Sequence, residues 1–188
     1  MSTHKLSRRD FLRHGLVASQ GLVLGISFGP KIATAVEKDR ATSTQTPLNA
    51  FVRIAPDNTV TVIVKHIEFG QGIFTGLPTV VADELDADWA QIRAEGAPTD
   101  PETYGNLNWG GSQGTGGSSS MNNSFTQLRR AGATARAMLV AAAAEQWQVN
   151  PGEITVQRGV VQHAKSSRKA SFGELAEAAA KQSLPKNV

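Results

Sequence analysis

Residues 60–95, VTVIVKHIEFGQGIFTGLPTVVADELDADWAQIRAE, decide the fold. Val60, Val62 and Val64 alternate with Thr61, Ile63 and Lys65, which predicts a strand with one clearly apolar face. After Phe69-Gly70-Gln71-Gly72 the pattern turns helical, from about Thr75 to Leu85. Thr75 is a plausible N-cap, and Pro78 then falls in the first turn, where a missing N–H costs little. Gln91–Glu95 reads as a short strand. Strand, helix and strand in this order predict a βαβ unit.

Working outward, Phe51–Ile54 reads as a strand, joined to the next through the turn Ala55-Pro56-Asp57-Asn58. Residues 98–123 form a long loop dense in Gly, Ser and Asn, and loops of this length are usually functional or disordered. A long helix follows, opened by a Ser124/Gln127 capping box and ended by Pro151-Gly152. Leu128, Gly132, Ala135 and Leu139 give it a small-sided face suited to packing close to a sheet. Ile154–Gln157 and Val160–His163 read as a hairpin. A second capping box, Ser171 with Glu174, opens a last amphipathic helix to about Gln182. The expected fold class is α+β, a small mixed sheet with packed helices, over residues 50–188.

Residues 1–35 read as an export leader. Ser7-Arg8-Arg9-Asp10-Phe11-Leu12 matches the twin-arginine pattern, and a weakly apolar stretch runs from Gly15 to Gly29. That stretch is too short to span a bilayer, which takes roughly 20 apolar residues. Ala33-Thr34-Ala35 is a small-x-small cleavage site. The expectation is a periplasmic protein exported by the twin-arginine pathway, whose passengers travel folded and usually with a cofactor already inserted. Residues 36–49 are polar and read as a linker.

The leader also explains the charge. The chain has 19 Lys and Arg against 16 Asp and Glu. The leader holds Lys5, Arg8, Arg9, Arg13 and Lys31 against Asp10 alone, so the mature part has a slight acidic excess. A nucleic-acid surface normally shows clustered basic residues, and none is present. The chain has no Cys, which excludes disulfides, thiolate zinc sites and Cys-ligated iron–sulfur clusters.

Two glycine-rich segments each lead into a helix: Gly70-Gln71-Gly72, and Thr115-Gly116-Gly117-Ser118. Glycines let a backbone approach a ligand, and N–H groups at helix starts attract anions. Both segments could equally be plain turns, since short Gly patterns are common. Neither is a P-loop, because no Gly-Lys-Ser/Thr follows. Gly111-Ser112-Gln113-Gly114 only partly matches a dinucleotide fingerprint. His66, at a strand end beside Glu68, could be a base or a metal ligand, but it lacks a second ligand at metal-site spacing and reads rather as structural or solvated. Asp83, Glu84, Asp86 and Asp88 read as a solvated helix end. Tyr104 and Trp109 could wall a pocket or anchor the loop.

Taken together, "GQG..T.LPTVVADELDADW", "TGGSSS" and "LRRAGATARAMLVAAAAEQW" resemble the large, molybdenum-binding subunit of the xanthine oxidase superfamily, in its isoquinoline 1-oxidoreductase beta and aldehyde dehydrogenase branch. The resemblance covers about Phe51 to Gln182. It implies a molybdopterin cofactor with molybdenum, often in the cytosine dinucleotide form, held by Gly70, Gln71, Gly72, Thr75, Gly116, Gly117 and Ser118. The metal is held by the cofactor's dithiolene, so no protein metal ligand is expected. The resemblance further implies hydroxylation of aldehydes or N-heterocycles with oxygen from water, and electron transfer to an iron–sulfur subunit. The catalytic glutamate of such enzymes lies far beyond the matching region, and no acid here fits its motif. The expectation is therefore a cofactor-binding segment that works with the remainder of a large subunit. The rival expectation is a folded remnant or interaction domain without cofactor.

Overall fold

The computed structural model describes residues 46–185 and Val188. The leader and the first part of the linker lie outside the described residues. The chain order is β1 (Thr46–Asn49), β2 (Val52–Ile54), β3 (Val60–Val64), α1 (Ile73–Leu85), β4 (Ile92–Gly96), α2 (Pro101–Tyr104), α3 (Ser120–Trp147), β5 (Ile154–Gln157), β6 (Val160–His163), β7 (Arg168–Ser171) and α4 (Phe172–Ala180).

The expected βαβ unit is present. β3 and β4 run parallel, with Val60 opposite Ile92 and Val64 opposite Gly96, and α1 makes the crossover. β1, β2 and β3 are antiparallel neighbours, so the first sheet is mixed, in the order β1-β2-β3-β4. β5, β6 and β7 form a second, antiparallel sheet. The fold class is α+β, with two small sheets where one was expected.

The differences from the sequence reading have physical causes. The last four residues of the expected linker are strand β1. Every residue of β3 is buried, so this strand has two apolar faces instead of one. That is the usual state of a strand with a parallel neighbour and helices nearby. α1 starts at Ile73, two residues before the expected cap, and Pro78 lies inside it. α3 starts at Ser120, four residues early, which places Ser124 and Gln127 within the helix. The α2 turn and the 3₁₀ turns were not foreseen, nor was β7, whose sequence RKAS is polar.

The small face of α3 approaches α1 most closely, and α3 also packs against strands of both sheets. A Cβ on Gly132 would sit 2.9 Å from Glu84 Cβ and 3.0 Å from Val81 O, so the helices nearly touch backbone to backbone. Leu128, Ala135 and Leu139 of α3 are buried. The second sheet is fastened to the end of α1. Asp86, the C-cap, adopts a left-handed conformation. Its carboxylate accepts from Arg158 N at 3.1 Å and its carbonyl from Gly159 N at 2.7 Å, at the tip of the β5–β6 hairpin. Arg158 also pairs with Asp88 at 3.1 Å.

Candidate functional site

β3 and β4 are parallel, so both deliver the chain to the same edge of the sheet. Ligands of open α/β sheets bind outside the carboxyl ends of such strands. A cleft of about 530 Å³ lies there, bordered by Lys65, His66, Glu68, Phe74, Gly114 and Thr115 among others. Its walls include Glu68, two residues before Gly70, and Thr115, which opens the second glycine segment.

Direct bonds hold the segments together. Ile67 N donates to Thr115 Oγ1 at 2.8 Å, and His66 Nδ1 lies 3.1 Å from Gly114 O. The helices that follow also meet at their N-termini, because a Cβ on Gly76 of α1 would lie 2.9 Å from Met121 Cε of α3.

The first segment is closed by its own side chains. Glu68 Oε1 accepts from Gly70 N (2.6 Å) and Gly72 N (3.1 Å), and Oε2 accepts from Phe74 N (3.0 Å). The N–H of Phe74, then those of Gly72 and Gly70, hold the Glu68 carboxyl below its usual range. The positive end of α1 therefore already has an anion. Gln71 folds back, accepting from Phe69 N at 2.8 Å and donating to Ile67 O at 2.7 Å. An amide has two donors and two lone pairs, so one of each remains for a ligand. Gly70 and Gly72 have φ of 103° and 82°, and a Cβ on either would meet nothing within 4 Å. The exposed Thr75 lies in the first turn of α1 with its N–H on Gly72 O, and is not the cap.

The second segment differs. Among the described residues the backbone N–H groups of Gly116, Gly117 and Ser118 have no protein partner, and the last two residues are exposed. Gly117 and Ser118 take φ of 61° and 53°. Ser119 turns its hydroxyl to Gly116 O at 2.8 Å, leaving the first amides of α3 without a side-chain cap. Beneath this segment lies a buried polar network. Asn106, fully buried, donates to Gly114 O and to Ser119 Oγ, each at 3.2 Å. Asn123 donates to Asn106 Oδ1 at 3.1 Å and to Ser119 O at 2.8 Å. Such fully paired networks fix one geometry.

The two segments that carry the seven expected residues are thus joined through His66, Ile67, Gly114 and Thr115, while none of the seven itself lines the cleft. Sequence reasoning missed Asn106 and Asn123. It named Glu68 without giving it a role, although an acid two residues before Gly-x-Gly at a helix start was the available signal. His66 is buried, in line with a structural role. Tyr104 is an anchor: its hydroxyl donates to Ala50 O at 2.7 Å, and its ring meets Phe51 edge-on at 5.5 Å. Trp109 lies over the glycines of the second loop, and a Cβ on Gly116 would come within 3.1 Å of its ring. Among the described residues no cluster of His, Asp and Glu could hold a metal ion, and no helix is long and apolar enough to cross a membrane.

Residues 12–187 match the molybdopterin cofactor-binding domain. Isoquinoline 1-oxidoreductase subunit beta of Brevundimonas diminuta is 39% identical over 176 residues, covering 92% of this chain and 22% of that protein. The membrane-bound aldehyde dehydrogenase (pyrroloquinoline-quinone) of Gluconacetobacter polyoxogenes is 32% identical over 90% of this chain and 21% of its own length. This chain thus spans about a fifth of the length of these two relatives. Among solved structures, reconstituted CO dehydrogenase from Oligotropha carboxidovorans is similar with a TM-score of 0.52 over 73% of this chain and 16% of that one, at 24% identity. At that identity the likeness concerns the fold.

Proposed function

The chain belongs to the molybdopterin cofactor-binding domain family, and on that premise we propose that it is the cofactor-holding segment of a molybdenum hydroxylase large subunit. The observation that carries this reading is the run of amides at Gly116, Gly117 and Ser118, which have no partner among the described residues and directly follow Gly114 and Thr115 on the rim of the cleft at the ends of two parallel strands. These amides, next to the positive end of the 28-residue helix α3, suit a phosphate of the cofactor. The first segment suits it differently. Its helix-end amides are taken by Glu68, so Gly70 and Gly72 offer bare backbone surface and Gln71 offers its spare donor and lone pair. When bound, the group supplies two-electron redox chemistry at molybdenum.

In this reading the chain's residues bind and orient and none is catalytic. The complete enzyme would oxidise aldehydes or N-heterocycles with oxygen from water, pass electrons to an iron–sulfur subunit, and carry the cytosine dinucleotide form of the cofactor. The twin-arginine pattern supports export to the periplasm. The test is to produce the chain in a host that makes molybdopterin and to measure molybdenum and pterin per chain. Stoichiometric retention supports the proposal. A folded chain free of both favours the second reading, a remnant or interaction domain, which the self-closed Glu68 loop makes physically reasonable.

A further inference from the structure

His66 spans the second glycine segment. Its ring nitrogens reach the residue before that segment and the helix turn after it: Nδ1 lies 3.1 Å from Gly114 O, and Nε2 lies 3.4 Å from Asn123 Oδ1. Both partners are acceptors. A backbone carbonyl cannot donate. The Asn123 amide cannot be turned round, because its Nδ2 already donates to Asn106 Oδ1 and Ser119 O. Gly114 O also accepts from Asn106 Nδ2 at 3.2 Å and Asn123 Oδ1 from Ser124 Oγ at 3.4 Å, so neither oxygen depends on the ring alone. A neutral imidazole donates to one of the two and turns a lone pair toward the other, whereas an imidazolium donates to both.

The surroundings oppose that second proton. Burial is the main reason the ring titrates below its usual range, and the neighbouring Lys65 adds to it, while the bonds to Asn123 and Gly114 act the other way. Lys65 is itself buried, bonded to Gly105 O and Gln127 Oε1 and, among the described residues, paired with no carboxylate. The near acid, Glu68, is engaged on the amides of α1. Gly114 and Thr115 on the loop, Asn123 and Ser124 on α3, and Gly96, Ala97 and Thr99 across the cleft carry no charge. What would favour the imidazolium is an anion on the free amides of Gly116 to Ser118.

We propose that His66 is a positioning residue for the second glycine segment, taking up a proton when an anionic group of a ligand seats on the amides of Gly116, Gly117 and Ser118. The added N–H closes the bond to Asn123 Oδ1 and ties both ends of the segment to the end of β3. This rests on the reading of that segment as a ligand site.

The test follows the ring nitrogens of His66 and the amides of residues 116–118 by NMR in the full chain, with inorganic sulfate as a probe whose charge does not change near neutral pH. The expected result without sulfate is a neutral ring with the proton on Nδ1. With sulfate, the amide signals of Gly116 to Ser118 should move, and the His66 titration should shift upward by about one pH unit, as an opposite charge nearby produces. Sulfate affinity should fall several-fold as pH rises through that titration. His66→Gln, which keeps a donor at every pH, should flatten the dependence while retaining binding. Shifts at Gly116 to Ser118 with His66 unmoved would overturn the inference alone. No shifts at those amides at any pH would overturn the ligand reading of the segment and the inference with it.

Discussion

The Glu68 carboxylate accepts the backbone N–H of Phe74, six residues later, at 3.0 Å. The first turn of α1 is therefore closed by an acid from the preceding strand end, not by a residue at its own cap. A negative charge in this position is also favoured by the helix dipole.

Glu68→Gln should lower the melting temperature by a few degrees at neutral pH, since it keeps the shape but removes the charge. Because the folded carboxyl titrates below its ordinary 4.5, its contribution is present above pH 4.5 and is lost as pH falls through the folded value. The melting gap between wild type and variant should therefore close in acid. A gap of constant size across that range would contradict the assignment.

Gly132→Val should destabilise the chain by about 2 kcal/mol or more, because the added carbons meet Glu84 Cβ and Val81 O, which side-chain rotation cannot clear. Thermal or urea unfolding measures it. A near-neutral result would mean that α1 and α3 can separate without cost.

Gly72 separates the loop's two roles. Gly72→Val should cost about 1–2 kcal/mol whether or not a ligand binds, because φ of 82° disfavours a branched side chain. Gly72→Asn is the sharper variant, since Asn tolerates this conformation and its Cβ meets nothing. It should stay folded with near-normal melting, yet lower molybdenum content by filling the space a ligand would use. Gln71→Ala should weaken retention without abolishing it. Full metal occupancy in Gly72→Asn removes the first segment from the site.

Lys65 provides an alkaline signature. Burial lowers its pKa below 10.5, so the unfolded chain binds this proton more readily than the folded one. Wild-type stability should then rise relative to Lys65→Met as pH climbs from the folded value toward 10.5. Parallel melting curves over that window would mean that the ammonium is better solvated than its burial indicates.

Arg8→Lys with Arg9→Lys keeps the leader's charge but loses the guanidinium fork. The expected outcome is precursor accumulation in the cytoplasm, read by fractionation and immunoblot. Undiminished periplasmic delivery would sink the twin-arginine assignment.

Local signals were legible where the chain itself provides the partner. The hairpin Ile154–His163 and the Ser171/Glu174 capping box lie where the sequence placed them. The start of α3 was not legible, because Ser124 and Gln127 mimic a capping box inside the helix. Gln127 in fact accepts from Lys65 Nζ at 2.8 Å, and the real boundary at Ser119 is set by buried Asn106, distant in sequence. The same holds for β1, which is a strand only because β2 lies beside it. For the candidate site, the glycines were visible as composition. Which of their amides remain free was not, since that depends on where Glu68 turns.

The clasp between Asp86 and the Arg158-Gly159 turn bears on how the molecule comes apart. The hairpin of the second sheet cannot peel away without breaking the two bonds its tip makes to Asp86, the residue that ends α1, and α1 is the crossover on which the parallel strands depend. Local openings that would let one sheet exchange its amides while the other stays protected are therefore costly. Hydrogen exchange should find the strands of both sheets protected to a similar level, as a single cooperative unit.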